Sequence, residues 1–382
     1  MKTPARVALV NRMIPDYRID YILKLFDKFN KDGIEMVSFY GRQEGDPLKM
    51  QAAVFRKIKC LQLPINIGGM SERIVFMPFL FYSLRRWKPS IIITEDISAM
   101  PNCITVMMYS LIFRVPYLIH GLGKIPNRKS SWLKSLLYYP IKVFRENCSG
   151  FICYSEQAKK YYSETYKKEC CVAYNSVYKK HSLSEKKEIV KLIKTRYSNN
   201  EKCKIVYLGR LSPQKKVDLI LKAVAKLKRK YNISAVIIGS GKIKSDLENI
   251  AENLNITDRV AFTGEIYSKE DKSKILNNCQ LGVLPGLGGL AIQEMLWHAL
   301  PVITSSADGT EIDMVKNASS GIYIKNMTLN ALVKSIDSFI KMTRVQKKEM
   351  SINGLNIVIQ KYNINNMINI LVSFTERKAG VR

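Results

Sequence analysis

Two basic side chains, Arg210 and Lys215, occupy a segment whose spacing suits the binding of a diphosphate. They belong to the run GRLSPQKK, which directly follows an apolar strand, KIVYLG, and precedes a helix expected from about Val217. Cationic side chains attract phosphate oxygens by their charge. A helix N-terminus adds to this attraction, because its backbone N–H groups are unpaired and the helix dipole is positive at that end. A solvated basic loop is the alternative interpretation of this segment taken alone.

Glycines and a single carboxylate follow two further apolar strands of the same half. The run GSGK, with Gly239 and Gly241, follows AVIIG, and glycines there allow backbone N–H groups to approach a nucleotide or simply form a tight turn. After LGVLPG, Glu294 is the only carboxylate on an otherwise apolar helix. It either accepts the hydroxyls of a ribose or belongs to the exposed side of the helix.

Apolar, β-branched runs alternate with segments of helical period along the chain. In the first half the runs are RVALVN, EMVSFY, SIIITED, PYLIH and GFICYS. In the second half they are KIVYLGR, AVIIGSG, RVAFTG, LGVLPG and PVITS. The alternation predicts α/β units with parallel sheets that are covered by helices on both faces. Ligands of such sheets bind beyond the carboxyl ends of the strands, which is where the residues above lie.

The length of 382 residues predicts two domains of nearly equal size. We expect two Rossmann-like, doubly wound domains, over residues 1–177 and 203–360, that face each other across a cleft. Residues 178–202 are charged and poor in strand formers, so they are predicted to connect the domains. Residues 361–382 are expected to form a C-terminal helix that packs back on the first domain. Residues 97–113 are uncharged and are expected to form a buried helix rather than a membrane span.

The order of these segments resembles the retaining glycosyltransferases of family 4, which are group 1 glycosyl transferases with the GT-B fold. GRLSPQKKVDLILKA is similar to the family's Gly-Arg-Leu-x-x-x-Lys-Gly-x-x-x-Leu segment, and VIIGSGKIKSDLENIA is similar to its Gly-x-Gly stretch. RVAFTGEI, the Glu294 helix, LPVITS and the turn GTEI follow in the family's order. In the first half, PYLIHGLGK matches the segment that places a histidine near the donor sugar.

The resemblance implies an enzyme that moves a sugar, with retention, from a UDP- or GDP-linked donor to a glycan or lipid-linked glycan during synthesis of capsule, lipopolysaccharide or another surface glycan. The first domain would bind the acceptor and the second domain the nucleotide sugar. Arg210 and Lys215 would neutralise the donor diphosphate, His120 would lie near the donor sugar, and Glu294 would hold the nucleotide ribose. Further contacts to the nucleotide sugar are expected from residues that share loop or helix-start positions: Gly239, Gly241, Gly286, Gly289 and Leu290.

The sequence departs from the family pattern at three places. The first glutamate of the family's Glu-x7-Glu signature would lie eight residues before Glu294, where this chain has Gly286, so that contact is absent or replaced by backbone N–H groups of residues 286–290. Lys216 stands where a glycine is usual, and residues 11–13 replace a Gly-Gly turn after the first strand. A nucleotide-sugar epimerase and an inactive scaffold of the same fold are therefore the alternative functions.

Composition limits the expected cofactors and partners. The chain has 61 Lys and Arg against 32 Asp and Glu, a formal net charge of +29 that attracts polyanions or anionic lipid. No zinc-finger or RNA-recognition signature accompanies this charge, so nucleic acid is not an expected partner. No Asp-x-Asp follows an apolar strand, and the eight cysteines form no CxxC pair, so we expect neither a metal nor another cofactor. Reduced thiols and a first apolar run too short for a signal peptide predict a cytoplasmic protein.

Two segments of the first half, residues 71–88 and 129–145, combine basic with aromatic side chains. Such segments either lie in a bilayer interface, attracted by anionic lipid and anchored by Trp and Tyr rings, or are amphipathic core helices with basic outer faces. The first interpretation predicts peripheral attachment at the inner face of a membrane, which would suit a lipid-carried acceptor.

Overall fold

The chain forms two compact units, each built on a parallel sheet with helices on both faces. The computed structural model describes residues 4–43, 49–67, 70–96, 100–123, 138–178, 183–198, 202–286, 288–305, 309–317 and 319–380. The first unit comprises Met1–Val177 and Ile364–Arg382, and the second comprises Tyr178–Asn363. The predicted α/β class, with two Rossmann-like parallel sheets, is confirmed.

The first unit contains a seven-stranded sheet of order β3-β2-β1-β6-β7-β8-β9 and a separate antiparallel hairpin of β4 and β5. The strands are β1 Arg6–Ile14, β2 Glu35–Gln43, β3 Phe55–Lys57, β4 Leu61–Ile67, β5 Met70–Phe76, β6 Ile91–Glu95, β7 Tyr117–Gly121, β8 Gly150–Cys153 and β9 Cys170–Val172. Neighbouring strands of the sheet are parallel, and the order reverses between β1 and β6. The two loops that follow these strands therefore diverge to opposite faces of the sheet.

Helices cover both faces of this sheet because the strand residues that point to either face are apolar. The helices are α1 Asp16–Lys31, α2 Leu80–Trp87, α3 Met100–Phe113, α4 Tyr138–Glu146, α5 Glu156–Tyr166 and the C-terminal α13 Ile364–Ala379. Val7 and Leu9 of β1 pack into the layer that contains α1 and α13, whereas Ala8 and Val10 pack into the layer that contains α2, α3 and α5. Successive side chains of a strand point to opposite faces, so one strand supplies both cores.

Several elements of the first unit differ from the sequence expectation. Strands β3 and β9 and the β4–β5 hairpin were not expected. Strands β3 and β9 have only three residues each, and polar residues or proline interrupt the apolar runs of β4 (LQLPINI) and β5 (MSERIVF). The stretch 71–88 divides between β5 and α2. Of the stretch 129–145, residues 129–137 lie outside the described residues.

Helix α3 corresponds to the uncharged segment 97–113, but it is not fully buried. Met108, Leu111 and Ile112 are spaced by three and four residues, share one face of the helix and are exposed. In the part of the chain that the structure describes, no helix is both long and apolar enough to cross a bilayer. The helix is instead held by its other face, which contributes Cys103, Val106 and Tyr109 to the core.

The second unit contains a six-stranded parallel sheet of order β12-β11-β10-β13-β14-β15. The strands are β10 Lys202–Leu208, β11 Asn232–Ile238, β12 Val260–Gly264, β13 Leu281–Leu284, β14 Val302–Ser305 and β15 Gly321–Ile324. The helices are α6 Leu183–Arg196, α7 Asp218–Leu227, α8 Lys244–Asn253, α9 Lys269–Asn277, α10 Gly289–Trp297, α11 Leu329–Lys341 and α12 Arg344–Gln360. The strand order reverses between β10 and β13, as in dinucleotide-binding sheets.

Residues 178–202, predicted as a connection between domains, are largely part of the second unit. Helix α6 carries most of its charges on exposed positions, but its residues Ile193 and Arg196 are buried. The Arg196 guanidinium donates to the carbonyl oxygens of His298, at 2.9 Å, and of Ala299. The Tyr197 hydroxyl is 3.0 Å from the Ser351 hydroxyl. The charged composition of the segment therefore reflects one solvated helix face rather than a linker.

Candidate functional site

The candidate site lies at the carboxyl edge of the second sheet, where the strand order reverses. Arg210 follows β10 by two residues, and Gly286 follows β13 by two residues. These two strands are neighbours in the sheet, and their loops lead to helices that begin at Asp218 and Gly289. Doubly wound sheets bind ligands in the crevice at this point of reversal.

Gly239 and Gly241 bring the loop after β11 against the loop after β10. Their φ angles are +139° and +157°, and a Cβ atom on either residue would lie 2.0 Å from a carbonyl oxygen, that of Gly209 or Leu211 respectively. The Leu211 N–H donates to the Ser240 carbonyl at 2.8 Å across the same contact. Both glycines are thus required for the packing of the two loops, and their contact with a nucleotide stays a prediction.

Gly286 brings the loop after β13 against the turn that carries Lys215. A Cβ atom at Gly286 would lie 2.2 Å from the Gln214 carbonyl oxygen and 2.8 Å from the Lys215 Cα. Any side chain at this position would displace the turn Pro213–Lys215. The structure therefore gives a steric reason for a glycine where the family pattern has a glutamate.

The two predicted diphosphate cations differ in their surroundings. The Arg210 side chain is exposed and, within the described residues, has neither a hydrogen bond nor an ion pair. Its backbone is fixed because the Tyr207 hydroxyl donates to the Arg210 carbonyl at 2.9 Å. Lys215 is half-buried at the end of the turn, and the next residue, Lys216, has a φ of 51°. This left-handed conformation explains why glycine is usual there.

The N-terminus of α10 adds backbone donors beside Gly286. Gly288 is the N-cap residue and supplies no side-chain hydrogen bond to the first turn, which begins with Gly289 and Leu290. The first N–H groups of a helix have no partner within the helix, and the dipole there is positive, so such a terminus favours an anion. The positions of Gly289 and Leu290 suit the predicted backbone contacts to the donor.

Glu294 is oriented by two residues that the sequence did not reveal. Its Oε1 atom lies 2.9 Å from Lys272 Nζ of α9, and its carboxylate also accepts a hydrogen bond from the Tyr178 hydroxyl. Burial and the adjacent Glu294 raise the pKa of Tyr178 well above its usual value, so this hydroxyl remains a donor. The Tyr178 ring stacks on Trp297 at a centroid distance of 5.1 Å.

These partners leave Glu294 with capacity for a ribose. A carboxylate has about four lone-pair positions, and the two contacts use only part of them. Lys272 lies among many charged residues of α9 and Tyr178 lies in the predicted connection, so no spacing in the sequence marked either residue.

His120 is in the first unit, at the end of β7. It is 9% exposed, and its ring stacks on Tyr154 at a centroid distance of 4.2 Å. Its Nε2 atom is buried without a hydrogen-bond partner among the described residues. Burial, assisted by the charge of Arg18, lowers the pKa of His120 well below its usual value, so the imidazole is neutral at pH 7.

Most of the second unit is similar in sequence to a family of known proteins. Residues 189–355 match the family model described as glycosyl transferases group 1. An uncharacterized glycosyltransferase of Methanocaldococcus jannaschii is 26% identical over 136 residues, which cover 35% of this chain and 34% of that protein. The chain thus spans about a third of that curated relative, and 45% of a second one.

Solved structures of similar fold cover almost the whole chain. HepE of Anabaena, in complex with UDP, has a TM-score of 0.70 at 17% identity, with 98% of this chain and 100% of that chain covered. The lipopolysaccharide outer core galactosyltransferase WaaB has a TM-score of 0.68 at 15% identity, with 97% and 99% covered. This chain has the GT-B fold. HepE of this fold has also been solved with UDP-glucose.

We expect the close contact at Gly286 to tolerate no side chain in this GT-B protein. Gly286→Ala should lower the free energy of unfolding by about 1 to 3 kcal/mol, because the new Cβ overlaps the Gln214 carbonyl. Gly288→Ala is the control, because its Cβ would meet Leu284 at an ordinary 3.4 Å. Since alanine is a poorer N-cap residue than glycine, its cost should still be nonzero but below about 1 kcal/mol. Urea unfolding measures both. Equal stability of Gly286→Ala and wild type would contradict the steric argument.

The burial of neutral His120 predicts a pH dependence of stability. The unfolded chain takes up a proton near pH 6.5, whereas the folded imidazole does not, so the stabilisation is fully present above that pH and is lost as pH falls below it. The slope from one such group is at most about 1.4 kcal/mol per pH unit. In urea unfolding between pH 7 and 5, His120→Asn should show a shallower loss than wild type. Identical slopes would show that His120 is not held neutral.

Proposed function

We propose that the protein is a glycosyltransferase that moves a sugar from a nucleotide-sugar donor to a glycan or lipid-linked glycan acceptor. The observation that carries this proposal is the packing at the reversal point of the second sheet. There, the contact between Gly286 and Gln214 places the Lys215 turn beside the uncapped start of α10. Arg210 follows the neighbouring strand β10 and has no carboxylate partner among the described residues. Such a set of positive groups suits a diphosphate.

The same groups would assist bond cleavage as well as binding. When the bond between the sugar and the diphosphate breaks, negative charge builds on the departing β-phosphate oxygen. Arg210, Lys215 and the first N–H groups of α10 would stabilise this charge more strongly in the transition state than in the bound donor. Glu294, oriented by Lys272, would accept the ribose hydroxyls.

The finer assignments rest on the resemblance to family 4 and on the chain's own residues. We propose transfer with retention and without a metal, because two side-chain cations and a helix N-terminus already offer charge for the diphosphate. UDP-linked donors are the first choice, ahead of GDP-linked donors, because HepE binds UDP and UDP-glucose. A role in lipopolysaccharide or another surface glycan is supported by the fold shared with WaaB. The protein would act in the cytoplasm, where such donors are made.

Removal of the Arg210 guanidinium tests the proposed diphosphate site. With a panel of UDP- and GDP-sugars, Arg210→Ala should lower kcat/KM for the preferred donor by about 100- to 1000-fold, because one charge-stabilising contact to the leaving group is lost. Arg229→Ala removes an exposed arginine of the same unit and should leave kcat/KM unchanged. The midpoint of thermal unfolding should rise with UDP in wild type and in Arg229→Ala, but less in Arg210→Ala.

Other outcomes of these assays would point to a different function or contradict the proposed site. Conversion of the donor sugar without an acceptor would indicate an epimerase. Donor binding without turnover of any donor would indicate an inactive scaffold. Equal activity of Arg210→Ala and wild type would contradict the proposed site.

An exposed surface on α2 and α3 supports attachment of the protein to a membrane. We name the surface formed by Phe79, Tyr82, Met108, Leu111 and Ile112 the apolar patch; these side chains are 50% to 65% exposed. The two helices pack together through Phe81 and Tyr109, whose ring centroids are 5.7 Å apart.

Basic residues accompany the apolar patch. Arg85 and Arg86 are exposed on α2, and the Arg85 guanidinium lies 4.8 Å from the centroid of the Phe113 ring of α3. Arg114 follows the end of α3. We propose that the patch enters the interface of an anionic bilayer while these arginines contact lipid phosphates, which would bring the enzyme to a lipid-carried acceptor.

Neutralisation of two arginines tests this surface. Each basic residue near an anionic bilayer contributes about 1 kcal/mol, so Arg85→Gln combined with Arg86→Gln should weaken sedimentation with anionic vesicles about 30-fold. Lys187→Gln combined with Lys191→Gln makes the same change of charge on the exposed face of α6 and should have little effect. Binding should weaken in high salt. Equal binding of wild type to neutral vesicles, or equal losses in the two variants, would contradict the proposal.

A further inference from the structure

The first unit contains a cavity of about 150 Å³ at the point where its own strand order reverses. The cavity is lined by the end of β1, by Thr94 and Glu95 of β6, by His120 of β7, by Tyr154 after β8 and by the start of α1. It therefore occupies in the first sheet the place that the proposed diphosphate site occupies in the second, which is the place where doubly wound sheets bind ligands.

Arg18, in the first turn of α1, brings a positive charge to this cavity that no carboxylate compensates among the described residues. Its Nη2 atom donates to the Tyr154 hydroxyl at 2.7 Å. Its guanidinium carbon lies 5.3 Å from the Tyr21 ring centroid and 5.6 Å from that of Tyr154. The half-buried guanidinium is thus held by aromatic rings and one hydroxyl. These contacts fix its position but do not neutralise its charge.

The acidic side chain of the lining, Glu95, contacts another arginine. Glu95 Oε2 lies 3.8 Å from Arg12 Nε and 3.4 Å from the Arg12 backbone nitrogen. The N-cap residue of α1, Pro15, provides no side-chain acceptor for the first turn, and the acidic residue of that turn, Asp16, is exposed and does not line the cavity. Among the side chains that line the cavity, two arginines, Arg12 and Arg18, stand against one carboxylate, so positive charge is in excess there.

His120 supplies an independent indication of a ligand. The residue is nine-tenths buried and lines the cavity, and its Nε2 atom has no hydrogen-bond partner among the described residues. Its ring stacks on Tyr154, which is also the residue that holds Arg18. A buried polar atom without a partner is unfavourable, so an acceptor atom placed between Arg18 and His120 would satisfy both residues.

The size of the cavity limits what it can hold. Pockets for whole small molecules measure about 300 to 1,000 Å³. A volume of 150 Å³ corresponds to about five water molecules at roughly 30 Å³ each. The cavity is therefore suited to one compact group of a larger ligand.

We propose that this cavity binds an anionic group, a phosphate or a carboxylate, on the sugar acceptor, with Arg18 as its principal ligand and His120 Nε2 as a second donor. This inference rests on the proposed glycosyltransferase function, because only a sugar-transferring enzyme has a sugar acceptor. The acceptor is favoured over the donor diphosphate as the source of the anion, since the second unit has Arg210, Lys215 and the α10 terminus for the latter. Arg18 would select acceptors that carry a negative charge near the reacting hydroxyl.

Imidazole resonances report on this site directly, because the chain has only three histidines. With histidine labelled by ¹⁵N, titration with inorganic phosphate or acetate at constant ionic strength should shift the His120 resonances saturably and raise the His120 pKa. Arg18→Gln should weaken phosphate or acetate binding about 10- to 100-fold, as expected for loss of a charged hydrogen bond. The phosphate affinity of Arg18→Lys should lie between those of Arg18→Gln and wild type. Arg56→Gln, which removes an exposed arginine of the same unit that does not line the cavity, should bind phosphate like wild type.

UDP distinguishes the two sources of the anion and separates this inference from the proposed function. UDP should bind Arg18→Gln as it binds wild type, and phosphate at the His120 site should not compete with UDP. Competition, or a loss of UDP affinity in Arg18→Gln as large as in Arg210→Ala, would assign the cavity to the donor and overturn the proposal. An unchanged His120 spectrum in both phosphate and acetate would also overturn the proposal. So would an equal response of Arg18→Gln and wild type, provided that thermal unfolding shows Arg18→Gln or Arg18→Lys to be folded. A saturable response with no nucleotide-sugar turnover would overturn the enzyme function but leave an anion site.

Discussion

The carbonyl oxygen of Gln214 fills the space that a side chain at Gly286 would need, and the candidate site of the second unit depends on this contact. It joins the loop after β13 to the turn that ends at Lys215. The contact of Gly239 with the Gly209 carbonyl oxygen joins the loop after β11 to the start of the loop after β10, which also contains this turn. Three loops are thus packed backbone against backbone, and their positions do not depend on flexible side chains. A site for a transition-state charge needs such fixed groups, because donors that must reorient lose much of their effect.

The first unit uses the same sheet plan with different chemistry at the reversal point. Residues 11–13, which stand in place of a Gly-Gly turn, continue β1 to Ile14 in register with Gln43 of β2. Helix α1 then begins at Asp16, directly after Pro15. Because the strand is long and the connection short, the first turn of α1 lies at the strand ends, where Arg18 reaches Tyr154. Side chains rather than backbone groups therefore line this crevice, and the departure from the family pattern has a structural consequence.

Apolar alternation was sufficient to predict the central strands of both sheets, because buried parallel strands are apolar on both faces. It did not reveal β3 or β9, which are three residues long. It predicted residues 178–202 as a linker because the segment is charged and poor in strand formers, whereas most charges of its helix α6 lie on the exposed face of that helix. Position after a strand was enough to propose Arg210 and Lys215. The partners of Glu294 come from distant segments, and Arg18 acquires its surroundings only through tertiary packing, so no local spacing could mark them.

Pairing with a carboxylate distinguishes the arginines that stabilise the fold from the arginines that are suited to bind a ligand. The Arg145 guanidinium lies 2.6 Å from Asp96 Oδ2, both side chains are nearly buried, and the Tyr162 hydroxyl donates to the same carboxylate. Breaking such a buried pair leaves an uncompensated charge and costs about 3 to 5 kcal/mol, which marks Arg145 as structural. The net charge of +29 acts differently, since ions screen exposed charges beyond about 8 Å. It raises the concentration of anions or lipid near the protein, whereas Arg18 and Arg210, fixed in place without carboxylate partners among the described residues, provide the positions where an anion would be held.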